Sequence, residues 1–457
     1  MKTSMLRGLC FAGALTAVGL VSTHAQTIEF RATINSAQET TGSTSTGVGS
    51  AVLLYDIATN TFDLAITINS FAAIISASHI HEGAPGVAGP VVTNLGSEVE
   101  YRRNGEYVTT TFFGIRHNGT PLTLLRNGAY LNFHTSAYPG GEIRGQLIAQ
   151  PKRLVAVLDN AHETPVNTSK AYAAAYISYD PGTNKISTRM NVYNFTNTLS
   201  GSHYHEAAPG VAGPVVHNLG GAAVYTKTGT AYGLSLQNQT YLGDTMRLLT
   251  GGAYLNIHSN LFPGGEIRGQ VQATDEIDIA RLANMSARGF VGAGDQALIS
   301  GFVIGGNEPV RVLITAKGPS LTALGVAGAL ANPMLSLHDR NGTEILTNDD
   351  FATGFASADI PSTGFSIGNA NEAALLLVLP PGAYSTVITG AAGGTGIALT
   401  EVYEVRANRG ATVLAQTTPV RGRLRLQPEA PIQPAFAAGR APLEFCVAAP
   451  IALVETR

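Results

Sequence analysis

A long internal duplication constrains this chain more than any other feature. The segment from His79 to Val92, which begins His79-Ile80-His81-Glu82-Gly83, returns 124 residues later, from His203 to Val216, beginning His203-Tyr204-His205-Glu206-Ala207. Gly128 to His134 returns as Gly252 to His258, and Pro139 to Gln146 is repeated unchanged at Pro263 to Gln270. Glu39 and Glu163 keep the same offset. A solenoid repeats every 20–50 residues or so, whereas this period is the size of a whole domain. Two like domains in tandem are therefore expected, over 26–149 and 150–274.

Within each copy, short runs rich in β-formers alternate apolar and polar residues between turn signals. Ala51 to Asp56 and Phe62 to Ile68 flank Ala58-Thr59-Asn60, the pattern of a hairpin. No window shows the 3.6-residue period of a helix. The expectation is an all-β chain whose first two domains are Ig-like sandwiches or barrels. The duplication stops near Asp275, and a third unit over 275–406 reads as another β-sandwich. Its strands are expected at 297–304, 310–314, 334–339 and 373–379, with an Asn341-Gly342 hairpin turn leading from the third into a further strand before Asn348. Asn348-Asp349-Asp350 offers too few oxygens for a calcium cage, so an ordinary loop is expected there. Gly318-Pro319-Ser320 reads as a turn and not a nucleophile elbow.

The ends have a different character. Lys2 and Arg7, the apolar run from Leu9 to Val21 and Thr23-His24-Ala25 form the three-part pattern of a secretory signal over 1–25, too short to span a membrane. Residues 407–457, rich in Arg, Ala and Pro, read as a disordered tail. Six arginines against three glutamates in that tail, with two cations in the leader, leave −8 on the body from −3 overall. A mildly acidic body gives no reason to expect nucleic acid as a partner. Beyond the leader Cys446 stands alone, so neither an intramolecular disulfide nor cysteine-ligated zinc is expected.

Chemistry concentrates in the duplicated histidines. Residues i and i+2 of a strand share a face, so His79 and His81 point together. In Tyr130 to His134, Leu131 and Phe133 take the core side and leave Tyr130, Asn132 and His134 on the other. Glu142, Arg144 and Gln146 alternate in the same way. The second copy repeats this with His203, His205, His258, Glu266 and Arg268. Two imidazoles from one strand and a third from another can hold copper or zinc. The same side chains, supported by Glu142 and Arg144 or Glu266 and Arg268, can equally form a charge-assisted hydrogen-bond network. Glu39 and Glu163 are expected to cap or to pair with Arg144 and Arg268. His117, His162 and His217 have no histidine counterpart; Tyr241, Gln38 and Thr93 stand at those places, and surface positions are expected.

These residues resemble the chordin-type domain, CHRD. Its hallmarks are His-x-His-x-Gly running into Gly-x-x-Gly-Pro-Val, then Tyr-x-Asn-x-His and Pro-Gly-Gly-Glu-Ile-Arg-Gly. Both copies match, except that Ala207 replaces the glycine after Glu206. The resemblance implies an exported protein, since such domains occur in secreted animal proteins that bind growth factors and in bacterial exported proteins. It also implies a barrel similar to copper/zinc superoxide dismutase, in which His79, His81 and His134 look like copper ligands. There is no bridging histidine between Gly83 and Val92, no zinc cluster and no disulfide, so dismutation is not expected. The third unit, opening at Arg281 to Gly289, resembles a C-terminal module of exported proteins from environmental bacteria. The sequence thus points to a secreted, non-enzymatic binding or adhesion protein whose partner is an extracellular protein or surface ligand. The alternative is a copper- or zinc-binding protein with a three-histidine site in each domain.

Overall fold

Alternation sets the inward face of the first unit. In β1 (Thr27–Asn35) of the computed structural model, Ile28, Phe30, Ala32 and Ile34 are buried while their neighbours are wetter. The structure describes residues 27–274, 284–306, 308–354 and 357–405, so the leader at 1–25 and the tail at 407–457 lie outside the described residues. The first copy continues with β2 (Val48–Asp56), β3 (Thr61–Asn69), β4 (Ile75–Glu82), β5 (Val91–Gly96) and β6 (Arg102–Asn104). β7 (Tyr107–Arg116), β8 (Ala129–Thr135), β9 (Ile143–Gln146) and β10 (Ile148–Ala149) complete it. They form one antiparallel sheet in the order β5-β4-β8-β9-β1-β2-β3-β7-β6, with β10 also on β1. The expected hairpin joins β2 to β3, and Asn60 takes the left-handed conformation that its turn needs (φ 55°).

The second copy repeats the order strand for strand. Its members are β11 (Lys152–Asp159), β12 (Tyr172–Asp180), β13 (Lys185–Tyr193), β14 (Leu199–Glu206), β15 (Val215–Gly220) and β16 (Thr226–Thr228). β17 (Ala231–Thr240), β18 (Ala253–Ser259), β19 (Ile267–Gln270) and β20 (Gln272–Ala273) follow. Arg126 ties the copies together: its guanidinium donates to Tyr179 Oη at 3.1 Å, to Thr245 Oγ1 at 2.8 Å and to Pro181 O. The buried residues of both copies make one continuous cluster. The Ile80-to-Tyr204 exchange is accommodated inside, where Tyr204 is fully buried and its hydroxyl meets Thr188 Oγ1 at 2.6 Å.

The third unit is a sandwich of two four-stranded sheets. One holds β21 (Asn284–Val291), β23 (Val310–Lys317), β26 (Ala373–Leu379) and β28 (Gly396–Glu404). The other holds β22 (Leu298–Ile304), β24 (Pro333–Asp339), β25 (Glu344–Asn348) and β27 (Gly382–Gly390). The expected strands are present, and Asn348 spends its side chain on structure, accepting from Ala374 N–H and donating to Asp350 O. Ser320 follows Pro319 into a single helical turn, where its N–H and hydroxyl both bond Glu372. Every residue of β26 is buried. A continuous apolar strand of this kind is covered on both faces: Ile360, Phe351 and Phe365 of the third unit pack over Ala374 and Leu376, and the second copy covers Val378, with Tyr193 Oη donating to Val378 O at 2.9 Å.

Candidate metal centres

β4 and β8 lie side by side, with His79 opposite Asn132 and His81 opposite Tyr130. His134 stands opposite Ala77, one pleat along the same face. Pairing therefore gathers the three imidazoles that the sequence could only list. Ring centroids lie 5.0 Å apart for His79 and His134, 5.5 Å for His79 and His81, and 6.0 Å for His81 and His134. In the second copy His203, His205 and His258 reproduce the arrangement at 5.0, 5.7 and 5.8 Å. In each triad one nitrogen per ring lies within 4.8 Å of the other two.

The hydrogen bonds say which nitrogens are free. His81 Nδ1 meets Gly89 O at 2.9 Å, and His134 Nδ1 meets Pro139 O at 3.0 Å. A carbonyl oxygen only accepts, so both Nδ1 atoms carry a proton, which in the neutral ring puts the lone pair on Nε2. Those two Nε2 atoms and His79 Nδ1 are buried without a partner. His205 and His258 bond Gly213 O and Pro263 O in the same way, leaving their Nε2 and His203 Nδ1 free. Burial first, and then the neighbouring imidazoles, push His79 down to about 4, and His203 likewise. Burial also lowers His81, against the upward pull of its bond to Gly89. Burial thus favours the neutral form of His79, His81 and His203, the form in which imidazole binds a metal.

A stacked column holds His81 in place. Its ring lies on Tyr130 at 4.9 Å and 14°, and the Arg144 guanidinium lies over Tyr130 at 3.4 Å. Arg144 donates to Val87 O and Ala84 O at 2.9 Å each and to Gln146 Oε1 at 3.0 Å. Gly89 N–H donates to Tyr130 Oη at 3.1 Å. The 83–90 loop is thus pinned over the column, and it carries the carbonyl that orients His81. Gly89 has to be glycine here, because a Cβ would fall 1.6 Å from Glu82 O. Arg268, Tyr254 and Gly213 repeat the device in the second copy.

The other expected site residues have different duties. Glu142 precedes β9, and its carboxylate accepts from Ser45 and Thr135. Glu266 accepts from Ser169 and Asn197. Both therefore fasten loops near the triads. Glu39 and Glu163 are pushed up to about 7 by burial, which the pull of Arg144 or Arg268 only partly offsets. His162 is exposed and pairs with Asp159 at 2.6 Å. The surface expectation for His117 and His217 is wrong: they are 1% and 6% exposed. Position 117 corresponds to 241 and position 93 to 217. In the first copy Thr93 Oγ1 accepts from Asn118 N–H, beside His117; in the second His217 lies 5.8 Å from Tyr241. Each domain buries one imidazole and one hydroxyl at this place, supplied from opposite sides. The signal was a pair of exchanges at the same offset, legible only when the two are taken together.

The family model described as the CHRD domain matches residues 30–147 and again 154–271, just over half of the chain. No curated protein matches the chain at a significant level. No helix among the described residues is long and apolar enough to cross a membrane.

Proposed function

We propose, starting from the fact that the chain belongs to the CHRD domain family, that each of its two domains holds one copper or zinc ion. The ligands are His79 Nδ1, His81 Nε2 and His134 Nε2 in the first domain, and His203 Nδ1, His205 Nε2 and His258 Nε2 in the second. The observation that carries this is that in each domain one nitrogen from each of three rings lies within 4.8 Å of the other two, in rings that each bury a partnerless nitrogen. Leaving such acceptors unsatisfied is costly, and a late first-row metal satisfies all three at once. Nitrogen ligands of this kind bind copper more tightly than zinc. A three-nitrogen set leaves a coordination position for a further ligand.

The protein is proposed to act outside the cell, in keeping with its domain type and with the signal read in residues 1–25. Dismutase chemistry is not part of the proposal, because these two triads are the clusters of three or more potential ligands among the described residues and neither adjoins a second. Capture of an extracellular protein or surface ligand is a second reading. It is favoured by Val48, Leu54 and Phe113, exposed on the outer face of the first copy, where the second copy carries the third unit. Metal content after reconstitution tests the main reading. Full-length protein is expected to retain about two equivalents of copper, and His79→Ala plus His203→Ala to retain almost none. Fewer than about 0.2 equivalents in the unmodified chain would overturn it, and ligand capture that survives chelation would then support the second reading.

A further inference from the structure

The outer face of the second copy differs from that of the first where the third unit sits on it. Arg189, Asn191 and Tyr193 of β13 stand where β3 has Ala65, Thr67 and Asn69. Two of them engage β26 directly: Asn191 Oδ1 accepts from Val378 N–H at 2.7 Å, and Tyr193 Oη donates to Val378 O. Between the two units lies a cavity of about 140 Å³, lined by Arg189, Asn191, Ser235, Arg311 and Asp359 together with β26. That is roughly tenfold the space a single water needs.

One of its charged donors lacks an acceptor. Arg189 Nε donates to Asp359 Oδ2 at 2.9 Å, and Ser235 Oγ donates to the same oxygen at 2.8 Å. Arg311 is only 7% exposed, and its Nη2 has no acceptor. Burial and the like charge of Arg189 push Arg311 down to about 10, although Asp359 and Tyr176 act the other way. Glu308 and Glu404 line a separate recess beyond Arg311, shared with Arg153, and neither reaches Nη2. Within the cavity two guanidiniums thus face one carboxylate, and Arg311 Nη2 is a buried charged donor without an acceptor, a costly state unless an anion enters.

The geometry points to a site for a small oxyanion (phosphate, sulfate or a short carboxylate) in this cavity, held by Arg311 Nη2, Arg189 and the Asn191 side-chain N–H. Asn191 has already committed its oxygen to Val378, so a donor is what it has left. Guanidinium donors match oxyanions in geometry and charge. The bound anion joins the second copy to the third unit and stabilises their docking. The first copy, with Ala65 in place of Arg189, has no equivalent. The inference is independent of the metal centres.

Calorimetric titration of the full chain with sulfate, phosphate and acetate, in chloride of equal ionic strength, tests it. One saturable site per chain is expected, with a melting temperature raised by several degrees. Arg311→Met, which keeps the aliphatic bulk, is expected to lose both effects. Should that variant fail to fold, Arg189→Gln is expected to weaken the same anion at least tenfold. A preference for sulfate and phosphate over acetate identifies a tetrahedral ligand, and the reverse a carboxylate. No saturable site, or an equal response in the variants, overturns the inference.

Discussion

Two histidines of each triad have one nitrogen committed to a carbonyl and the other free, and the division fixes what a substitution does. His81→Ala removes one lone pair from the first centre and nothing from the second, so retained copper is expected to fall from about two equivalents to about one. His162→Ala, at an exposed residue bound only to Asp159, is expected to leave the metal content unchanged. Glu39 and Glu163 make a separate prediction. Their folded-state pKa of about 7 lies above the value of 4.5 for an unperturbed side chain. The folded state therefore binds more protons between those values, so these groups favour folding fully below about pH 4.5 and lose that contribution as pH rises to about 7. Glu39→Gln plus Glu163→Gln, which keeps the uncharged form, is expected to raise the melting temperature at pH 8 and to change it little at pH 4.5. An equal change at both values would contradict the assignment.

At the scale of elements, the loop over each site matters as much as the strands beneath it. β4 and β8 bring the histidines together, but the orientation of His81 depends on Gly89 O, and the 83–90 loop depends on Arg144. Arg144→Met is expected to lower copper affinity at the first centre by about 10–100-fold, the usual effect of losing an outer-shell partner, with the second centre unaffected. Competitive titration against a chelator resolves the two. Alternation made much of this legible in the sequence: it placed His79 with His81 and put Leu131 and Phe133 in the core. It could not show that Tyr130 and Asn132 would also be buried, because the loop that covers them is not periodic. It placed Glu142 beside Arg144, whereas the strand begins one residue later and Glu142 turns to Ser45 and Thr135. His117 and His217 were misplaced for a related reason: single-position comparison hides an exchange that conserves the contents of a pocket.

The whole molecule breaks the symmetry of its duplication. Among the described residues it is the second copy that supports the third unit, and Tyr193 anchors that contact with a fully buried hydroxyl. Tyr193→Phe leaves Val378 O without its donor and is expected to cost about 1–3 kcal/mol, measured as a lower denaturant midpoint for the transition that includes the third unit. The same change at Tyr107, 44% exposed in the first copy, is expected to cost almost nothing. The two histidine triads, by contrast, keep their ring spacings across the duplication to within 0.2 Å. The most direct test of that centre is an anomalous difference map from crystals grown with copper, recorded at the copper edge. Two peaks are expected, one among His79 Nδ1, His81 Nε2 and His134 Nε2, the other among His203 Nδ1, His205 Nε2 and His258 Nε2. Empty triads, or copper found only at surface groups such as His162, would contradict the account.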